Sequence, residues 1–184
     1  MRITHDNSLL LVIDIQSKLA PHVAGHEQLI RRADALLDAA ALFGIPKLLT
    51  EHCPNQIGPV IEPMRSRFAA GEIFEKTRFG AADHPEFVAL VRSNGRPQVI
   101  VAGMEAHVCV MQSALALRSH GFEVVVVADA VGSRGVRQHD RELALRRMEQ
   151  AGCALAGTET VLFEWTGSGV DPHFRTILGA VKAL

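Results

Sequence analysis

Three apolar segments constrain the fold of this chain more than any other feature of its sequence. They cover residues 9–13, 98–102 and 122–128, which are apolar apart from Gln98 and Glu123 and do not alternate with polar residues. A strand with one solvated face alternates, whereas a strand that helices cover on both faces of a parallel sheet is apolar throughout. These segments therefore predict buried strands of a parallel sheet.

The segments around these strands predict the remaining elements of an α/β fold. Further strands are predicted at 47–51, 72–76 and 154–156, and helices at 26–43, 84–94, 107–120, 137–151, 158–165 and 172–181. Strands that alternate with helices at this spacing are typical of βαβ units. We therefore predict a three-layer α/β/α Rossmann-like fold with a mainly parallel six-stranded sheet, formed by a single domain over residues 1–184.

Composition and charge argue against several classes of protein. The 184 residues carry a formal net charge of −1, which gives no electrostatic reason to expect nucleic acid or an anionic membrane as a partner. No apolar run approaches the roughly 20 residues that span a bilayer. The three cysteines lack zinc-site spacing, and an odd number of cysteines without an export signal predicts a reducing, cytoplasmic setting.

Three residues with useful chemistry follow predicted strands. Asp14 ends the first strand, Lys76 ends the third, and Cys109 follows the fourth at the expected start of a helix. The carboxyl ends of parallel strands share one edge of the sheet, where ligands bind in such folds. A carboxylate can accept a thiol proton, while a lysine and a helix N-terminus favour the thiolate. Together these residues predict a nucleophilic site that opens an amide or an ester through a thioester.

Each of these residues also has a purely structural interpretation. Asp14 is compatible with a helix cap or with hydrogen bonds to loop amides, and Lys76 is compatible with a solvated strand end. Most free cysteines are small buried apolar residues, which is the corresponding interpretation of Cys109. Taken one at a time, the three residues leave both interpretations open.

Four segments in this order resemble the isochorismatase-like hydrolases, a superfamily of cysteine hydrolases. The segments are residues 11–16 (LVIDIQ), 75–81 (EKTRFGA), 103–110 (GMEAHVCV) and 129–133 (DAVGS). Residues 50–59 (TEHCPNQIGP) and 159–165 (ETVLFEW) are similar to segments of the isochorismatase-domain-containing proteins within that superfamily. The resemblance covers nearly the whole chain and implies the same class of fold.

The resemblance implies specific roles for five residues. Asp14 is expected to be the general base, Lys76 its electrostatic partner and Cys109 the nucleophile. A cis peptide bond is expected between Met104 and Glu105, and the N–H groups of Glu105 and Cys109 are expected to hold the oxyanion. Because members of the family usually assemble, the resemblance also implies a homo-oligomer.

Positions close to the three residues in sequence, together with apolar side chains, suggest which residues line the substrate pocket. The residues expected to line it are Gln16, Ile57, Phe79 and His107. Nicotinamidases of the superfamily carry an Asp-x-His metal cluster after the second strand, but residues 51–54 here read Glu-His-Cys-Pro. We therefore expect no metal, no other cofactor and a substrate other than nicotinamide. Isochorismate is equally unexpected, since only scattered arginines such as Arg78 and Arg134 are available for a dicarboxylate.

These observations favour a metal-independent cysteine hydrolase that cleaves a C–N bond of a small amide, or an ester, through a Cys109 thioester. Two alternatives come from other classes of function. One is a catalytically silent binding or regulatory protein on the same fold. The other is a thiol redox sensor, for which Cys53 is the candidate resolving cysteine.

Overall fold

A computed structural model describes residues 1–184 and contains one six-stranded sheet. The strands are β1 (Ser8–Ile13), β2 (Lys47–His52), β3 (Ile73–Lys76), β4 (Gln98–Met104), β5 (Glu123–Gly132) and β6 (Ala154–Ala156). Their order across the sheet is β3–β2–β1–β4–β5–β6, and every neighbouring pair is parallel. The predicted sheet is confirmed, and it is parallel throughout.

Helices cover both faces of this sheet. They are α1 (His26–Leu42), α2 (Pro54–Ile57), α3 (Pro85–Ser93), α4 (Met111–Ser119), α5 (Gln138–Gln150), α6 (Thr158–Thr166) and α7 (Phe174–Lys182). Helices α1, α6 and α7 pack on one face, and α3, α4 and α5 pack on the other. This arrangement confirms the predicted three-layer α/β/α fold. None of the helices is both long and apolar enough to cross a bilayer.

The two faces of β1 explain why its sequence is apolar throughout. Leu10 and Val12 belong to the core beneath α1, whereas Leu9, Leu11 and Ile13 belong to the core beneath α3 and α4. All five side chains are fully buried. Alternate residues of one strand therefore fill two separate cores, and a polar residue at any of these positions would be buried without solvent.

Strands β2 and β3 lie on one side of β1, whereas β4, β5 and β6 lie on the other. This switch in strand order places a crevice at the carboxyl ends of β1 and β4. Gly103, near the end of β4, has a φ of +138°, and a Cβ there would collide with the backbone of Ile13. Only glycine permits both this conformation and this approach. The ends of the two central strands are thereby held in close contact.

Two elements differ from their predicted form. The helix predicted from 107 begins as a π-helical turn, Ala106–Val110, in which the Val110 N–H donates to the Glu105 carbonyl. Apolar spacing alone does not distinguish such a turn from an α-helical one. Strand β5 continues past its predicted end at 128 because the carboxylate of Asp129 is satisfied within the fold, accepting the N–H and the hydroxyl of Thr158.

Candidate active site

Asp14 follows the last residue of β1, and its side chain is completely buried. Its Oδ1 accepts a hydrogen bond from the Thr50 hydroxyl at 2.7 Å, and its Oδ2 accepts one from the Lys76 ammonium at 2.7 Å. The backbone of Asp14 has a φ of +50°, a left-handed conformation that Asp and Asn tolerate better than most residues. Both carboxylate oxygens are thus held in fixed positions at the edge of the sheet.

Lys76 ends β3 and also has a fully buried side chain. Besides Asp14, its ammonium donates to the backbone carbonyls of Phe79 at 3.0 Å and Arg78 at 3.5 Å. A buried ammonium is stable only when its donors and its charge are matched. The turn after β3 supplies the two carbonyls, and β1 supplies the opposite charge.

Cys109 lies in the π-helical turn after β4 and is 6% exposed. Burial, and then the Asp14 carboxylate, raise the pKa of the Cys109 thiol well above its ordinary value, while Lys76 opposes the shift. Desolvation and the Asp14 charge together outweigh the opposing effect of Lys76, so the raised pKa favours the thiol over the thiolate.

Glu105 connects β4 to this turn. The Met104–Glu105 peptide bond is cis, and the Glu105 N–H donates to no acceptor within the chain. The Glu105 Oε1 accepts the Arg134 N–H at 3.2 Å and the Arg134 Nε at 2.9 Å. This ion pair is partly open to solvent, since Glu105 exposes 10% and Arg134 48% of its side chain.

A cavity of about 270 Å³ lies against these groups. It is lined by Asp14, Leu19, His52, Ile57, Phe79, Glu105, Val108, Cys109 and Arg134. Apart from the two ion pairs and the thiol, its wall is aliphatic and aromatic. Its volume is close to the lower limit for ligand pockets, so the arrangement suits a small molecule. A larger groove of about 810 Å³, lined by residues of α3 and α4, contains neither Asp14, Lys76 nor Cys109.

Two of the four residues expected to line the pocket lie elsewhere. Ile57 and Phe79 line the cavity, whereas Gln16 and His107 do not. The carboxamide of Gln16 is fully buried; it donates to the His52 and Gly58 carbonyls at 3.0 and 2.5 Å and accepts the His52 N–H at 2.8 Å. Gln16 therefore fastens the loop behind the cavity wall.

His107 is instead paired with a neighbouring loop. Its Nδ1 lies 2.9 Å from the Ser133 hydroxyl, which places the imidazole between the turn that carries Cys109 and the end of β5. This contact accounts for the histidine without a ligand. It also explains why a polar residue in the turn before the nucleophile is not directed into the cavity.

The end of β2 does not assemble a metal site. The Glu51 carboxylate is buried and accepts the Val60 N–H at 2.7 Å and the Arg65 Nε at 2.9 Å. The His52 ring packs against Phe79 with centroids 5.0 Å apart, and burial, followed by Lys76, lowers the pKa of His52. No group of three His, Cys, Asp or Glu residues is arranged to hold a metal ion.

Comparison with known proteins agrees with this geometry. The family model of the isochorismatase domain matches residues 8–160. The chain belongs to the isochorismatase family. Isochorismatase domain-containing protein 2 of Danio rerio is 34% identical over 176 residues, which cover 96% of this chain and 87% of that relative. The similarity supports both the superfamily and the subfamily that the sequence resembles.

Two solved structures share the fold of this isochorismatase-family chain. MAR1 ribonuclease from Caenorhabditis elegans has a TM-score of 0.90 and 33% identity, covering 99% of this chain and 93% of the other. The YcaC gene product of Escherichia coli, described as an octameric hydrolase of unknown specificity, has a TM-score of 0.87 and 26% identity, covering 100% and 97%. These relatives support a hydrolase of the isochorismatase family.

Two further residues of the candidate site, Thr50 and Arg134, are not singled out by any pattern in the sequence. Thr50 holds the Asp14 carboxylate, and it is the register partner of Ile13 across β1 and β2. A hydroxyl at the carboxyl end of the strand beside Asp14 is a signal that strand order alone would have revealed. In the sequence Arg134 looks like one of several scattered arginines, because its partner Glu105 is 29 residues away.

Proposed function

We propose that this protein is a cysteine hydrolase that cleaves a small amide, or an ester, through a thioester on Cys109. The observation that carries the proposal is a thiol and a doubly anchored carboxylate on the wall of one small cavity. A buried thiol is a poor nucleophile unless a base removes its proton during attack. Asp14 is the base that lines the same cavity.

The first half-reaction forms a carbon–sulfur bond and breaks the carbon–nitrogen bond. As the Cys109 sulfur attacks the carbonyl carbon, its proton passes to the Asp14 carboxylate. The tetrahedral intermediate then collapses and Asp14 returns the proton to the departing nitrogen, so that an amine or ammonia leaves. Lys76 donates a hydrogen bond to the Asp14 carboxylate and remains its electrostatic partner throughout.

The second half-reaction restores the enzyme with water. Asp14 accepts a proton from the water molecule that attacks the thioester carbon. The carbon–sulfur bond breaks, the proton returns to the sulfur, and a carboxylic acid is released. No metal is needed for either half-reaction, because Asp14 accepts and then returns a proton in each of them.

The negative charge on the carbonyl oxygen needs donors during both half-reactions. We assign this role to the N–H groups of Glu105 and Cys109, as the family resemblance implies. The Glu105 N–H has no acceptor within the chain, so it is available to an oxyanion. Removing one such donor typically costs 10²–10³-fold in turnover, which is why a free N–H beside the nucleophile supports the proposal.

A panel of small amides and esters tests the function directly. Ammonia or acid release is measured, and the intact protein mass is recorded after brief exposure to each compound. We expect an acyl adduct on Cys109 and loss of turnover in Cys109→Ala, while Cys53→Ala, a cysteine outside the cavity, keeps its rate. Turnover that survives in Cys109→Ala contradicts the proposal.

The alternatives predict different results in the same experiment. A low-pKa redox sensor is disfavoured because the Cys109 pKa is raised, and it requires a disulfide to Cys53 on mild oxidation. A silent binding protein gives neither adduct nor turnover across the panel. Because one of the similar structures is a ribonuclease, RNA should be included in the panel as a control substrate. We propose no nucleic acid substrate, since both cations near the thiol are already paired with carboxylates.

We also propose a homo-oligomer that works in the cytoplasm. The octameric description of the Escherichia coli relative supports assembly, and a buried free thiol on which function depends suits a reducing compartment. Light scattering after size-exclusion chromatography gives the mass of the assembly. A mass equal to the 20.0 kDa chain at micromolar concentration contradicts the first part of this proposal.

A further inference from the structure

Every charge on the wall of the cavity is matched by an opposite charge. Asp14 pairs with Lys76 at 2.7 Å, and Glu105 pairs with Arg134 at 2.9 Å. His52 is the remaining titratable side chain on the wall besides the thiol, and burial lowers its pKa, so the imidazole is neutral at pH 7. The cavity therefore has no net charge to offer a ligand.

The uncharged part of the wall is apolar. Leu19, Ile57, Phe79 and Val108 supply it, and the volume of the cavity is only about 270 Å³. A charged group that entered this space would lose water without gaining a free counter-ion, which is unfavourable. An uncharged acyl group of a few carbons meets no such penalty.

We infer that the Glu105–Arg134 ion pair is a specificity-determining element that makes the pocket select small, uncharged acyl groups. The inference rests on the proposed function and names its substrate class. Each member of the pair cancels the field of the other at the wall. Removing one member leaves the other charge unmatched, so the preference of the pocket should shift toward ligands of the opposite sign to the charge that remains.

Arg134 does not form an anion site by itself in this arrangement. Its Nε and its backbone N–H both donate to the same Glu105 oxygen. A carboxylate that approached the rest of the guanidinium would also meet the Glu105 carboxylate, and the attraction and repulsion largely cancel. Because Arg134 is half exposed, water and salt further weaken the field that either charge produces.

Labelling of Cys109 by methanethiosulfonates measures this selectivity without any need for turnover. Three reagents with the same reactive group and a neutral, an anionic or a cationic tail are compared on wild type, Glu105→Gln, Arg134→Gln and the double variant. Peptide mass mapping follows Cys109 separately from Cys53 and Cys153, and each rate is divided by that of 2-mercaptoethanol.

In wild type we expect the neutral reagent to be favoured over both charged ones. Glu105→Gln should raise the anionic-to-neutral ratio about fivefold, and Arg134→Gln should raise the cationic-to-neutral ratio by a similar factor. The double variant should return to the wild-type preference. Arg134→Lys, which keeps the charge, should restore most of the wild-type ratio, and thermal unfolding of each variant verifies that it is folded.

Two results overturn the inference. One is a wild-type pocket that favours the anionic reagent, which would make Arg134 an anion site. The other is a pair of single variants whose ratios stay within twofold of wild type or move in the same direction. If no reagent labels Cys109 in any variant, the proposed nucleophile itself is wrong, and that outcome is distinct from an altered charge preference.

Discussion

The two ion pairs of the cavity have similar lengths but differ in how far water reaches them. Asp14 and Lys76 have no exposed side-chain surface, whereas Arg134 is half exposed and Glu105 slightly so. Removing one partner of a buried pair leaves an uncompensated charge, while exposed pairs contribute about 0–1 kcal/mol. Because it is buried, the Asp14–Lys76 pair is suited to hold reacting groups in place. The Glu105–Arg134 pair is more exposed and is suited to adjust the charge of the pocket.

The largest difference between the pairs should appear in turnover. Asp14→Asn keeps the shape of the side chain and the left-handed backbone but removes the base, so we expect a roughly 10²–10⁴-fold loss in kcat/KM. Glu105→Gln removes a charge from the other pair and should cost less than about tenfold on an uncharged amide. Steady-state kinetics on the same amide make the comparison, and equal losses would show that both pairs serve the chemistry.

The second largest difference between the two ion pairs should appear in the free energy of unfolding. Lys76→Met leaves Asp14 buried and unpaired, so the free energy of unfolding should fall by about 3–5 kcal/mol. Arg134→Met should cost about 1 kcal/mol or less. Urea unfolding followed by the fluorescence of Trp165, which is buried and the only tryptophan, measures both.

Lys47→Met is a matched control for this series, because Lys47 pairs with Glu72 at 3.2 Å in a partly exposed position. Its cost should resemble that of Arg134→Met. If Lys47→Met and Lys76→Met were equally destabilising, the loss of any paired ammonium, rather than of a buried partner in particular, would explain the result.

The pH dependence of thiol reactivity should distinguish the pairs as well. The pKa of Cys109 is raised, so its rate of alkylation by iodoacetamide should still be increasing at pH values where N-acetylcysteine has reached its plateau. Asp14 is one cause of the raised pKa, so Asp14→Asn should move the profile to lower pH. Lys76 opposes the shift, so Lys76→Met should move it to higher pH.

Glu105→Gln is the control for the pH profile, since Glu105 is not among the groups that act on the thiol. Its profile should coincide with that of wild type. A shift as large as that of Asp14→Asn would mean that the two pairs influence the nucleophile equally, and the division of roles between them would fail.

Salt should produce the smallest difference. Raising the concentration of NaCl from about 0.02 to 0.5 M should reduce the destabilisation caused by Arg134→Met by a few tenths of a kcal/mol, because exposed charges are screened. The destabilisation caused by Lys76→Met should not change. Urea titrations at the two salt concentrations provide the test, and a salt-dependent value for Lys76→Met would contradict its burial.

The layered fold could be predicted because its determinants are local. Continuous apolar runs identified the strands, and spacing with glycine or proline at the ends identified the helices. The end of β5 could not be predicted, because the Asp129 carboxylate is satisfied by contacts that are distant in sequence, with Thr158 and with Arg32. Aspartate is a residue type that usually ends a strand, and the sequence does not show the tertiary contacts that keep Asp129 within β5.

The candidate site shows the same limit. Asp14, Lys76 and Cys109 could be proposed together because strand ends in a parallel sheet share one edge. The raised pKa of the Cys109 thiol could not be predicted, because it depends on burial, which the sequence does not show. Gln16 was expected in the pocket from its short distance to Asp14, but its carboxamide is used by backbone groups of a loop 36 and 42 residues away.

The left-handed backbone of Asp14 also bears on how such a protein could change over time. Asparagine adopts this conformation as readily as aspartate does, whereas most other residues do not. Exchange of a single oxygen for an amide nitrogen would therefore remove the base without straining the backbone, but it would also leave the buried Lys76 ammonium without its counter-charge. A gene duplicate that lost catalysis by this substitution would need a second change at Lys76 to recover the stability of the fold.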